Sequence, residues 1–187
     1  MPPEKTVRQK RPPMRKTFPT LYVMQSEKFH ADLIDVDERL MSVYGAFGFG
    51  DYVEHLKVLI GDANYASWTI IDEEANIIGL TGAFMMIQGV ARVWYCPASI
   101  VFKDRRVRAM FFKTLKRCLD SIIEQWGLRR VECIIREDFE EAFVVPFNRK
   151  FRFSVEGMMR HYDTNGGNYY LLAKYCNEGD DAVEVDE

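Results

Sequence analysis

Apolar positions along the chain change period several times, and each change predicts an element. Leu21 to Met24 is a short apolar run that predicts a strand. From Lys28 to Tyr44, the residues Leu33, Val36, Leu40 and Tyr44 recur at helical spacing, and the glycines Gly45, Gly48 and Gly50 end that pattern. Asp51 then stands where a cap would open a second short helix, to about Ile60. Strand-like segments follow. Ser67 to Ile71 is β-rich and ends at the acidic turn Asp72-Glu73-Glu74, and Asn76 to Ile87 predicts a further strand closed by the Gln88-Gly89 turn. Ala91 to Phe102 predicts the next, with a bulge or splay expected at Cys96-Pro97, because proline removes a ladder donor.

The most regular amphipathic stretch runs from Asp104 to Trp126. Phe111, Leu115, Cys118, Leu119, Ile122 and Trp126 keep one face apolar, while Lys113, Lys116, Arg117 and Glu124 fall elsewhere. Gly127 is placed to end that helix in the left-handed conformation. Val131 to Ile135, apolar except for Glu132, predicts a strand of the kind found in the middle of a sheet. Glu137 to about Lys150 has a helical pattern interrupted by Pro146, which predicts a short, kinked or split helix. Phe153 to Tyr162 and Asn168 to Cys176 flank the turn sequence Asp163-Thr164-Asn165-Gly166-Gly167 and predict a closing hairpin.

Composition narrows the class. At 187 residues and 48% apolar content, the chain suits one domain with tails, expected over residues 18–176. Four of the seven prolines and a cluster of lysines and arginines fall within residues 1–17, which predicts an extended, disordered basic arm. Glu178, Asp180, Asp181, Glu184, Asp186 and Glu187 predict a disordered acidic tail over 177–187. Both tails suit either plain solvation or docking to a partner. A net charge of −3, and a basic arm without interleaved aromatics, argue against nucleic acid as the partner. Cys96, Cys118, Cys133 and Cys176 form no CxxC pair, which suits buried thiols in a reducing, cytoplasmic compartment. His30, His55 and His161 have no spacing that predicts a metal site. No stretch has the pattern of a signal peptide or of a membrane span.

The order of elements, strand, two helices, antiparallel meander, long helix, buried strand, helix and hairpin, resembles the GCN5-related N-acetyltransferase (GNAT) superfamily. Many of its members have a Leu-Tyr-Glu-Lys-Leu-Gly-Phe stretch before a strand with Glu-Gly. Here the corresponding place reads Phe147-Asn148-Arg149-Lys150-Phe151-Arg152-Phe153, followed by Ser154-Val155-Glu156-Gly157. Trp68-Thr69, Gly89-Val90-Ala91-Arg92-Val93-Trp94 and Arg130-Val131-Glu132 are similar to recurring strands in GNAT-like proteins of short-tailed bacteriophages. The resemblance covers about Tyr65 to Tyr175. It implies an α/β domain whose mixed, mostly antiparallel sheet is flanked by helices, and acetyl transfer from acetyl-CoA to a primary amine.

On that resemblance, the splayed strand is Tyr95 to Phe102, with Ile100, Val101 and Phe102 against the pantetheine arm. The phosphate loop is Arg105, Arg106, Val107, Arg108 and Ala109, at a helix start whose N–H groups favour anions. Val107 and Ala109 occupy the family's glycine places, and Asp104 a place that is usually basic or amide. The alternative is an ordinary helix start capped by Asp104. The general-acid tyrosine corresponds to Asn148, which can donate a hydrogen bond but supplies no proton. Tyr95 and Tyr162 are the candidate replacements. Glu132 is either a base or a strand carboxylate paired with an arginine. Trp68 and Trp94 are core or cleft aromatics. Two functions follow as expectations: an N-acetyltransferase, or a catalytically silent GNAT-fold virion or assembly protein that acts by binding other proteins.

Overall fold

The computed structural model describes residues 18–46, 51–62 and 64–176, so the expected basic arm and acidic tail, and Gly48 and Gly50, lie outside the described residues. In chain order the elements are β1 (Tyr22–Gln25), α1 (His30–Leu33), α2 (Glu38–Ala46), α3 (Tyr52–Gly61), β2 (Tyr65–Ile71), β3 (Ile77–Ile87), β4 (Val90–Pro97), α4 (Ser99–Lys103) and α5 (Arg105–Trp126). There follow β5 (Arg130–Arg136), a 3-10 turn (Glu137–Phe139), a π turn (Glu140–Val144), α6 (Val145–Phe151), β6 (Ser154–Met159) and β7 (Tyr169–Tyr175). The strands form one seven-stranded sheet in the order β1-β2-β3-β4-β5-β7-β6. Only the β4–β5 pair is parallel; every other neighbour is antiparallel.

The long helix follows its pattern. The apolar face of α5 buries Phe111, Phe112, Leu115, Cys118, Leu119 and Ile122 in the core. Gly127 takes φ 56° and its N–H caps the last turn, a conformation open to glycine without a Cβ penalty. Phe112 makes edge-to-face contacts with Phe143, Phe147 and Phe151, which ties α5 to the π turn and α6. Pro146 falls in the first turn of α6, where a missing N–H is harmless, so the break expected there becomes a π turn followed by a fresh helix. At the end of α6, Arg152 takes φ 59°, where a Cβ is strained by roughly 1–2 kcal/mol. This is the position at which the resemblance puts a glycine.

Two expected elements differ. The helix expected over Lys28–Tyr44 is split into α1 and α2, because Ile34 to Asp37 leaves the helical path to brace the end of β4. Val36 bridges Ala98, and the Asp35 carbonyl accepts from the Ser99 amide at 2.6 Å. The strand expected through Phe102 ends at Pro97. Ala98 donates to the Ile78 carbonyl, the Ser99 hydroxyl bonds the Asp35 carboxylate, and residues 99–103 coil into α4. Ile100, Val101 and Phe102 are therefore helical, with Val101 fully buried, and offer no strand edge to a ligand.

Candidate active site in the parted strands

Strands β4 and β5 are paired over three positions only: Val90 with Arg130, Ala91 with Val131 and Arg92 with Glu132. Beyond Arg92, β4 stays with β3 as far as Pro97, and β5 stays with β7 as far as Arg136. The two strands thus part, and the edges of Val93–Cys96 and Cys133–Arg136 face each other without a shared ladder.

Charge holds the closed end together. Arg92 donates to Glu132 Oε2 at 3.0 Å and Arg130 Nε donates to Glu132 Oε1 at 3.0 Å. Arg130 also pairs with Glu156, which accepts from the Tyr175 hydroxyl at 2.9 Å. The Arg130 guanidinium holds the Glu156 carboxyl below its usual range. Glu132 is therefore the centre of an ion-pair network with both oxygens engaged, the paired alternative weighed from sequence.

At the open end lies a cavity of about 310 Å³. Seven aromatic rings line it (Phe84, Trp94, Tyr95, Phe139, Phe143, Tyr162 and Tyr169), together with Leu40, Val93, Ile134 and Ile135, and its ionisable groups are His55, Arg92 and Arg136 besides the tyrosines. Burial holds the His55 imidazole below its ordinary pKa, so it is neutral near pH 7. Burial, then the hydrogen bond to Asp163 at 2.8 Å, pushes the Tyr169 hydroxyl up, so it serves as a fixed donor. Among the described residues, Arg92 Nε and Trp94 Nε1 are buried N–H groups without an acceptor. Burial pushes the Cys133 thiol up to about 12, and Tyr95 shares a hydrogen bond with it across the split.

A second, more polar groove of about 480 Å³ lies at the start of α5, lined among others by Arg39, Arg105, Arg108, Lys150, Asp138 and Glu141. The helix start itself is closed: Asp104 Oδ1 accepts from the amides of Arg106 (2.7 Å) and Val107 (3.1 Å). Those are two of the N–H groups that would otherwise face an anion. Phe139 lines both cavities and packs on Phe102 and Phe143, with the Arg39 guanidinium 4.8 Å above Phe102 and 5.8 Å from Phe139. Phe139 thus borders both spaces.

The residues singled out from sequence are thus divided. Tyr95 and Tyr162 line the cavity, although Tyr95 also packs on Phe143 and Phe147. Asn148 lines neither space; its Nδ2 donates to the Phe153 carbonyl at 3.0 Å and ties α6 to β6. Arg105, Arg108 and Ala109 line the groove, whereas Arg106 and Val107 bond Asp104 through their amides. Trp94 is a cleft residue, and Trp68 packs against the core. Sequence reading missed His55, Arg136, Phe139 and Phe143. His55 sits on α3, and only the sheet brings it to the split, so no local spacing announces it.

The whole arrangement is the GNAT fold. It matches the structure of a protein proposed to be a phosphinothricin N-acetyltransferase, with a TM-score of 0.65 and 14% identity, over 85% of this chain and 100% of that one. The ribosomal-protein-S5-alanine acetyltransferase of Vibrio fischeri matches with a TM-score of 0.62 and 14% identity, over 84% of this chain and 94% of that one. The spermidine N-acetyltransferase of Vibrio cholerae, solved with CoA and spermine, matches with a TM-score of 0.64 and 17% identity, over 83% and 95%. No family model matches the sequence, and no curated protein matches it. Among the described residues no helix is long and apolar enough to cross a membrane.

Proposed function

We propose that the protein transfers an acetyl group from acetyl-CoA to an amine held in the cavity between β4 and β5. The observation that supports this most is the parting of those strands after Arg92 and Glu132, which leaves two open backbone edges beside a built cavity. Similarity to the CoA-bound spermidine acetyltransferase adds the cofactor class. The charges of the groove suit a polyphosphate, with Arg105, Arg108 and Lys150 as its holders. The α5 amides suit it less, because Asp104 already occupies them. The open edge of Val93–Cys96, rather than residues 100–102, is where a pantetheine arm would pair. In the reaction the amine nitrogen bonds to the acyl carbon, the carbon–sulfur bond breaks, and the amine proton goes to His55. The departing sulfur takes a proton from Tyr162, which lies on the exposed side of the cavity.

Thermal unfolding with saturating acetyl-CoA, and release of free CoA thiol in the presence of amines, test the proposal. A rise in Tm by ligand linkage, with amine-dependent thiol release, is expected. An unchanged Tm and no thiol release would overturn it. The Asp104 cap and the structural use of Asn148 favour the second reading in that event. On that reading the protein is a catalytically silent virion or assembly protein of a bacteriophage, and it should co-purify with capsid, portal or tail proteins.

A further inference from the structure

We infer that the cavity selects a small amine that also carries a carboxylate on an apolar body, as an aromatic α-amino acid does, and rejects polyamines. This rests on the reading of the cavity as the acceptor site. The first argument is charge. Among the described residues that line the cavity there is no Asp or Glu, while Arg92, paired to Glu132, and Arg136 are both there. The nearby carboxylates are committed elsewhere. Glu132 is held by Arg92 and Arg130. Asp163 accepts from the amides of Asn165 and Gly167 and from the Tyr169 hydroxyl. A ligand with several ammonium groups would meet the Arg136 guanidinium, which Asp138 pairs only at 3.4 Å, and no unspent anion among the described residues, an arrangement that low dielectric makes more unfavourable. The ring faces can attract one ammonium by cation–π contact, which suits a single amine and no more.

The second argument is the balance of donors. Arg136 lines the cavity and supplies it with guanidinium N–H donors. Among the described residues Arg136 has one ion pair, with the half-exposed Asp138 at 3.4 Å, long enough to leave most of its five N–H groups to a ligand. A carboxylate brings acceptor oxygens to this excess of donors, and bidentate pairing with a guanidinium fixes its orientation. The third argument is size. At about 310 Å³ the space is at the small end of ligand cavities, roughly 300–1,000 Å³. It has room for one ligand the size of an aromatic amino acid.

Calorimetry on the full chain with L-phenylalanine, 2-phenylethylamine and spermidine tests this, with thiol release from acetyl-CoA followed separately. L-Phenylalanine should bind at least tenfold more tightly than 2-phenylethylamine, which has the same ring and amine without the carboxylate, and spermidine should not bind. Arg136→Gln should weaken L-phenylalanine at least tenfold and leave 2-phenylethylamine unchanged, so the second ligand reports whether the variant's cavity is intact. Equal binding of the two aromatic amines, binding of spermidine at least as tight as that of L-phenylalanine, or no binding by any of the three would overturn the inference. So would an equal loss of both aromatic ligands in the variant. Selective binding of L-phenylalanine without thiol release would instead sink the acetyl-transfer reading and leave this one standing. Thiol release with spermidine but not with L-phenylalanine would do the reverse.

Discussion

The two spaces on either side of Phe139 are built differently. The cavity in the strand split is aromatic, has a neutral histidine and two arginines, and has Tyr169 fixed by its bond to Asp163 of the hairpin turn. The groove at the start of α5 mixes four cations with two carboxylates, and its helix amides are closed by the protein's own aspartate. On the proposed function, the space read as the acceptor site has the features of a specific site, while the groove read as the phosphate site has charge without the backbone cradle. An N-terminal helix end binds anions through free N–H groups, and a cap competes for the same groups. Any loss of transferase activity in this chain would thus begin at the phosphate, not at the amine.

The largest effect should come from the aromatic cluster beside Phe139. Phe143 is 2% exposed and its ring contacts Tyr95, Phe102, Phe112 and Phe139. Phe143→Ala should lower unfolding stability by about 3–5 kcal/mol, read by urea denaturation. A loss below about 1 kcal/mol would mean that the aromatic cluster beside the cavity is not part of the core.

A smaller effect should come from Asp104→Ala. Loss of the cap should lower stability by about 1 kcal/mol. The same change frees the amides of Arg106 and Val107 and removes a negative charge beside the groove-lining Arg105, so acetyl-CoA should bind several-fold more tightly by calorimetry. Weaker binding of acetyl-CoA by this variant would show that Asp104 orders the loop for the ligand instead of competing with it, and would erase the contrast between the two spaces.

Much of this was legible in the sequence where the signal is local. The period of Phe111 to Ile122, the capping position of Asp104, the glycine at 127 and the turn sequence at 163–167 each act over a few residues, and each element formed where its chemistry placed it. What the pattern misjudged depends on distant partners. β-propensity through Ile100 to Phe102 lost to Pro97 and to the bonds that Ile78 and Asp35 offer to Ala98 and Ser99. The candidate site divided in the same way. The capped helix start followed from residue order alone. The pairing of Glu132 and the approach of His55 to the split required the sheet register and the packing of α3. Arg152 in the left-handed region shows the opposite case: the backbone keeps the glycine conformation although the residue is not glycine.

The smallest effect, and the one that refines the comparison on the acceptor side, concerns Asp163. Its carboxylate holds the hairpin turn that carries Tyr162 and fixes Tyr169 at the cavity. Burial works to raise its pKa, but the bonds from the Gly167 amide, the Tyr169 hydroxyl and the Asn165 amide outweigh it, and the net shift is downward. A carboxylate whose pKa is lower folded than unfolded adds stability that is fully present above its unfolded value. That stability drains away as pH falls through the folded value. The Asp163→Asn variant lacks that contribution, so its Tm should lie below that of the parent at neutral pH and the gap should narrow in acid. A gap that stays constant from neutral pH to pH values below the ordinary carboxylate range would mean that shape alone, and not ionisation, holds the turn. The aromatic side of the cavity would then be insensitive to pH, and the contrast with the charged groove would rest on Arg92, Arg136 and His55 alone.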